Sequence, residues 1–492
     1  MRFLKYLILL ASFPIWGEVS AQSLVGLHPE LQWLYSRKAY SDKEFHTLIQ
    51  PWYKSELGEK EQEGFQYFLN PLLNVQLSAG SPFRQSYGAG VYAGFSLGKT
   101  LFVDLNYSLN ARQFMPYDQA YIDSVGLIPH YDRYIADGGS FYLYQSLNFN
   151  ISWTPIKYIT IRAGKDRRFW GDGYRSLFLS DNANSYPFLQ TIFNFWHVKY
   201  VFMTSRMTDY QLDENFEHRH HKYTSMHCLS WNVTPDINLN LFETIIWDAV
   251  DSISRRTFDI NYLNPVIFFR PVEYSIGSPD NVLIGFGGKA RIWKENYLYA
   301  QFVLDEFKLS EIKARNGWWA NKYAFQAGLR SFWGTLRQLM IQAEFNQIRP
   351  FNYTHYYPLQ NYGHLVEPLA HPLGANLIEG ILIGRYAISP RWSAHAIFSY
   401  AVQGTDTIGK NNNYGSNIYK SNTTRSKDYG NTMLQGIRTV YSYQELKLAY
   451  TLVQKWNLQA ELTLSNRLFI RDEKTQNDLF LNIGLKTLLY RD

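Results

Sequence analysis

The chain has 492 residues with 48 Lys and Arg against 42 Asp and Glu, and it shows none of the clustered basic runs of a nucleic-acid binder. Its one cysteine, Cys228, cannot form an internal disulfide, which excludes a disulfide scaffold. Aromatics make up 17% of the chain, with 38 Tyr, 32 Phe and 14 Trp, yet mean hydropathy is only −0.30; a membrane barrel has this profile, because its lumen is polar and its Tyr and Trp gather at the two interfaces.

The first element is a leader. Met1-Arg2-Phe3-Leu4-Lys5 is basic, Tyr6 to Trp16 is apolar, and Val19-Ser20-Ala21 supplies small residues before Gln22. A basic start, a short apolar run and a small-residue cleavage site predict a secretory signal peptide over 1–21. At about ten residues the run is too short to cross a ~30 Å hydrocarbon core as a helix, and no cysteine follows for lipid attachment. No later stretch of 18 apolar residues occurs, so helical spans are excluded. Residues 22–64 read as a short helical segment in the periplasm: one helix over Pro29–Tyr40 and a second over Ser41–Leu57, with Ser41 and Glu44 at capping-box spacing.

From residue 65 the pattern changes to period two. Leu298, Ala300, Phe302 and Leu304 oppose Tyr299, Gln301 and Val303; Leu339, Ile341, Ala343 and Phe345 oppose Met340, Gln342, Glu344 and Asn346; Trp456, Leu458, Ala460, Leu462 and Leu464 oppose Asn457, Gln459, Glu461, Thr463 and Ser465. Such alternation puts the apolar set on one side of a sheet. It predicts strands at 65–79, 87–97, 100–111, 140–153, 157–164, 188–195, 198–206, 223–233 and 237–247, then at 282–292, 296–306, 322–333, 336–347, 375–388, 391–402, 436–451, 456–467 and 478–490. That is 18, with 16 also compatible, since the break at Trp196 is fixed partly by parity.

A soluble sandwich would alternate too, so the connections decide. Short breaks fall near Gly98-Lys99, Trp153-Thr154-Pro155, Trp196-His197, Val233-Thr234-Pro235, Trp293-Lys294, Gly334, Ile388-Ser389-Pro390 and Lys455. Between them lie long polar connections at 112–139, 165–187, 207–222, 248–281, 307–321, 348–374, 403–433 and 468–477. Alternating short and long connections with an even strand count predict an all-β fold, a closed transmembrane antiparallel β-barrel over 65–492 with long extracellular loops, set in the outer membrane. Closure gives every backbone N–H and C=O in lipid a partner.

The loop chemistry concentrates in Gly164–Pro187, which holds Arg167, Arg168, Trp170, Tyr174 and Arg175 among glycines and aspartates. Guanidinium forks beside aromatic faces suit a polyanionic glycan; the competing reading folds this loop into the lumen, its charges paired with inward barrel residues. His218, His220, His221 and His227 form a histidine-rich patch, read as solvated loop rather than a metal site, so no metal or cofactor is expected. Asp305-Glu306, Asp248, Asp251 and Asp259 offer carboxylates, but no nucleophile elbow, HExxH or phosphate loop is present, and the chain reads as a non-enzyme.

Several strings, in order across roughly 150–380, resemble the Wzi-type capsule-assembly family, particularly its RemB-like gliding-motility branch. They are WGDGYRSLFLSDNANSYPFL at 170–189, NPVIFFRPVEYSIGSPDN at 264–281, VLDEF at 303–307, GWWANKY at 317–323 and YPLQNYGHLVEPLAHPLGAN at 357–376. The resemblance implies an 18-stranded outer-membrane barrel with a helical N-terminal element and a lectin-like role, holding exported polysaccharide without covalent chemistry. The expected partners are membrane lipid and a surface polysaccharide, acidic if the net charge of +6 reflects its ligand. The expected binding residues are Arg167, Arg168, Trp170, Tyr174 and Arg175, with Tyr357, His364 and His371 from a second loop. Two other functions stand beside this one: an accessory of a surface motility or adhesion apparatus that binds protein, and a passive channel.

Overall fold

A computed structural model of the chain describes residues 26–53, 55–57, 64–210, 219–249, 259–264, 280–334, 338–407 and 412–489. The anticipated leader, His218 and most of the 264–281 string lie outside them. Eighteen antiparallel strands form one closed barrel. They are β1 (Phe65–Ala79), β2 (Arg84–Leu97), β3 (Leu101–Arg112), β4 (Tyr142–Ile156), β5 (Ile159–Asp166), β6 (Tyr186–Phe195), β7 (Val198–Asp209), β8 (His220–Thr234) and β9 (Ile237–Asp248). Then come β10 (Asn281–Trp293), β11 (Asn296–Glu306), β12 (Lys322–Trp333), β13 (Leu339–Ile348), β14 (Leu377–Ala387), β15 (Trp392–Thr405), β16 (Ile437–Val453), β17 (Leu458–Arg471) and β18 (Lys474–Thr487). Each pairs with its sequence neighbour, and β1 closes on β18 from Asn74 opposite Lys486 to Ala79 opposite Leu481.

The alternation maps onto inside and outside as period two requires. In β13, Ile341 and Phe345 are exposed on the wall while Met340, Gln342, Glu344 and Asn346 are buried inside. In β11, Leu298 is exposed and Tyr299, Gln301 and Val303 are buried. Trp153, Trp196, Trp231, Trp293, Trp333 and Trp392 stand exposed near the short turns, as an aromatic girdle at a membrane interface does.

Three boundaries depart from the sequence reading. The connection expected at 468–477 is the two-residue turn Asp472-Glu473, with Asp472 at φ 50°. Its flanks look polar because strands that rise above the bilayer have no apolar face to present. β1 and β2 are likewise joined at the loop end by four residues only, so short and long connections do not alternate strictly. At Trp153-Thr154-Pro155 the strand continues, because a register shift between Trp153 and Ile156 accommodates the proline and the turn falls at Lys157-Tyr158.

The N-terminal segment enters the barrel. Helix α1 (Pro29–Ser41) starts with a proline, has Glu30 in its first turn and Lys38 in its last, and is capped by His28, whose ring accepts from the Glu30 N–H at 3.1 Å. Its buried face carries Trp33, Ala39 and Tyr40, packed against the inward side chains Tyr297, Phe332, Met340, Ile381 and Ile383. Arg37 pairs with Glu295 at 2.8 Å in a short turn, and Glu30 meets Lys447 at 2.5 Å and Lys486 at 3.7 Å on the inner wall. α1 therefore occupies the barrel mouth at the short-turn end. The second helix expected over 41–57 does not form. Ser41 ends α1 with its hydroxyl donating to the Lys38 carbonyl, and Ile49-Gln50 pairs with Phe169-Trp170 as a two-residue ladder.

Candidate functional site

The long connection between β5 and β6 turns inward and packs against the inner face of the wall. Leu177, Phe178 and Leu179 are fully buried against Val201, Met203, Cys228, Phe242, Val303 and Leu377 from the wall. Phe178 stacks on Phe242 with centroids 4.9 Å apart and planes 6° apart. Barrel carboxylates and amides grip the loop backbone: Glu344 accepts from the Tyr174 N–H at 2.6 Å and the Arg175 N–H at 3.0 Å, and Gln301 accepts from the Leu177 N–H at 2.8 Å.

The residues picked out in the sequence divide accordingly. Arg168 is 1% exposed, donating to Asp166 at 2.7 Å and Asn150 at 2.7 Å with its guanidinium over the Phe188 ring. Arg167 donates to the His130 carbonyl at 2.6 Å. Trp170 is fully buried. Arg175 pairs with Glu379 at 3.0 Å, and His371 meets the other oxygen of the same carboxylate at 2.7 Å. Burial, with the Lys222 ammonium nearby, lowers His364 to about 3. Its ring is thus neutral, and Nδ1 accepts from the Thr208 N–H at 2.9 Å. Tyr174 and Arg175 are half-buried; of the eight residues, Tyr357 alone is exposed, at 40%. The structure thus brings most of them together as an internal plug.

The carboxylates also have internal duties. Asp305 binds the buried Lys322 ammonium at 3.2 Å and accepts from the Tyr353 N–H at 2.7 Å. His220, His221 and His227 belong to β8 and not to a free loop, and no cluster placed to hold a metal ion occurs among the described residues.

The surface that remains open lies on the outer loops. Between β11 and β12 the chain forms a short helix, α3 in chain order after α2 (Pro116–Val125), over Leu309–Ala314, followed by Gly317-Trp318-Trp319. This loop is zipped to the one between β15 and β16. The Gly430 N–H donates to the Asn316 carbonyl at 2.8 Å, Asn431 N–H to Gly317 at 2.9 Å, and Trp319 N–H to Asp428 at 2.9 Å. Gly317 sits at φ 69°, and a Cβ there would meet the Asn431 nitrogen at 2.8 Å, so the close approach requires glycine. The third loop joins through the Asn422 N–H to the His355 carbonyl, 3.3 Å, and the Ser421 hydroxyl to the Tyr356 carbonyl, 2.5 Å.

On this base, aromatic rings and cations interleave. Arg425 lies 4.2 Å over the Trp319 ring and Lys308 5.7 Å over Trp318. Tyr356, Tyr357 and Tyr429 are exposed at 47%, 40% and 52%. Lys308, Lys313, Arg315 and Lys427 are exposed beside them; among the described residues of these two loops the carboxylates are Glu311, paired with Lys308 at 3.1 Å, and Asp428, paired with Arg425 at 2.6 Å, with Asp406 paired with Lys420 at 2.6 Å. The crown is a basic, aromatic face on hydrogen-bonded loops. Of this face the sequence reading named Tyr357 alone, although Trp318 and Trp319 stand in one of the strings it quoted; what joins Trp319 to Arg425 is a contact across more than a hundred residues.

No family model matches the chain, and no curated protein does either. Among solved structures it is similar to Wzi of Escherichia coli, described as an outer-membrane, carbohydrate-binding β-barrel involved in group 1 capsule assembly. The TM-score is 0.59 at 13% identity, covering 96% of this chain and 100% of that one. OccK5 (OpdH) of Pseudomonas aeruginosa follows at TM-score 0.44 and 9% identity, covering 86% and 98%. OprD of the same organism scores 0.43 at 11% identity, covering 86% and 96%. At these identities the likeness is one of fold: the chain is a large outer-membrane β-barrel.

Proposed function

We propose that this protein is a non-enzymatic surface lectin that holds an acidic polysaccharide on its outer loop crown. The observation that carries the reading is the crown itself, with Lys308, Lys313, Arg315 and Lys427 set among Trp318, Tyr356, Tyr357 and Tyr429 on three loops stitched together by backbone hydrogen bonds. Ammonium and guanidinium groups pair with carboxylates, and flat rings offer an apolar face to sugar rings. The zipped loops lower the ordering cost of binding. The inserted loop and α1 packed inside the barrel support an anchor over a passive channel, and the loop end faces the exterior as long barrel loops do. The capsule-assembly role of the E. coli barrel agrees with this reading.

The test is retention. In a deletion strain carrying the K313A/R315A/W318A variant, surface polysaccharide should move from cells to medium as in the strain with no copy; retention at the wild-type level defeats the proposal. A second reading has its own observation: Phe307, Leu309 and Ile312 are exposed beside the crown at 54%, 56% and 40%, a patch suited to a protein partner of an adhesion or motility apparatus. A stoichiometric protein recovered with the intact barrel, together with no affinity for polysaccharide, would favour it.

A further inference from the structure

Between α1 and the inserted loop lies a closed-in polar chamber of about 400 Å³. This is within the roughly 300–1,000 Å³ of small-molecule sites. Trp33 and Trp52 come from the N-terminal segment, Tyr174 from the inserted loop, and Gln342, Arg385 and Tyr443 from the wall. A smaller space of about 40 Å³ shares Glu30 and Lys447 with it and lies against Ser389, Pro390 and Trp392 at a short turn.

The cations of this chamber are not equally satisfied. Arg175 is matched by Glu379, and Lys447 by Glu30. Arg330 makes its hydrogen bonds to neutral groups: the Tyr40 hydroxyl, the Asp172 carbonyl and the Gln342 amide, at 2.7 to 3.2 Å. Arg385 makes no hydrogen bond and no ion pair with any described residue, and its Nε is buried without an acceptor. The lining carboxylates are Glu30, paired with Lys447, Asp181, and Glu445, which accepts from the Tyr443 hydroxyl at 2.6 Å. A buried guanidinium N–H without an acceptor is costly, and a carboxylate oxygen placed in the chamber would supply the acceptor that the Arg385 Nε lacks.

From this geometry we infer that the chamber is a second binding site, taking one acidic sugar residue whose carboxylate docks on the Arg385 fork while its ring lies among Trp33, Trp52 and Tyr174. A planar carboxylate matches the guanidinium fork in two parallel hydrogen bonds, and Gln342 and Tyr443 supply partners for hydroxyls. The site shares no lining residue with the loop crown and stands independently of it.

Isothermal titration of the full-length barrel in detergent with sodium glucuronate tests this. Saturable binding is expected, with glucose at least tenfold weaker and acetate and inorganic phosphate weaker again. R385Q should lose at least tenfold and R385K, which keeps the charge but not the fork, should fall between. The titrations are made in the K313A/R315A/W318A background, which removes any contribution of the crown, and R385Q is compared within it. Heat-modifiable migration confirms that each variant is a folded barrel. Absence of saturable binding, equal binding by folded R385Q, or phosphate binding as tightly as glucuronate would each overturn the inference.

Discussion

Replacing Glu379 with Ala is the sharpest probe of the inserted loop. Glu379 receives Arg175 at 3.0 Å, His371 at 2.7 Å and Asn346 at 3.3 Å. Removing one partner of a buried ion pair costs about 3–5 kcal/mol, because the other charge is left uncompensated. Arg175 retains 24% side-chain exposure, so water softens the loss and the lower end, about 3 kcal/mol, applies. At about 1.4 kcal/mol per tenfold, the open population of the loop should rise roughly a hundredfold. Hydrogen exchange reads this directly, since the Leu177 N–H is held by Gln301, the Phe178 N–H by Ser176 and the Ser180 N–H by the Leu369 carbonyl. Peptides covering 174–182 should exchange about a hundredfold faster while β13 and β14 keep their protection. Unchanged protection of those peptides in a folded Glu379→Ala barrel would refute the claim that this carboxylate anchors the loop.

Other expectations follow from the same contacts. Burial alone would raise the Glu30 carboxyl, but Lys447 and Lys486 outweigh it and hold Glu30 well below its ordinary value. A depressed carboxyl stabilises above its unfolded pKa of about 4.3 and loses that contribution as pH falls through the folded value. Protease access to α1 should therefore be flat from neutral pH to about 5 and rise below about 4, and Glu30→Gln should flatten that acid response. Leu382, 52% exposed in the middle of β14, faces lipid, so Leu382→Arg should lower refolding stability in bilayers by about 2–4 kcal/mol. Gly317→Val meets both the left-handed backbone and the Asn431 contact. It should weaken polysaccharide retention with barrel stability unchanged, as scored on cells and by thermal gel shift; full retention would show that the loop stitching is dispensable.

What the amino-acid order determined by itself is the wall. Ile341 and Phe345 alternating with Gln342 and Glu344 can satisfy lipid on one side and a polar lumen on the other only as a strand, and the same rule along the chain gave sixteen or eighteen, of which the structure has eighteen. It failed where that rule has no force: at Arg467–Lys474, where the strands leave the bilayer and polar residues continue the ladder, and at 41–57, where barrel contacts replace helix. The site was least legible. Arg167, Arg168 and Trp170 look the same in sequence whether a loop reaches outward or folds in. Only the tertiary structure, by setting Glu344, Glu379 and Gln301 on the inner wall to meet that loop, decided the direction. Likewise Trp319 and Arg425 become one surface only when two loops zip together. Local periodicity records which medium a side chain faces, whereas a loop's partners depend on contacts between distant segments that no local pattern encodes.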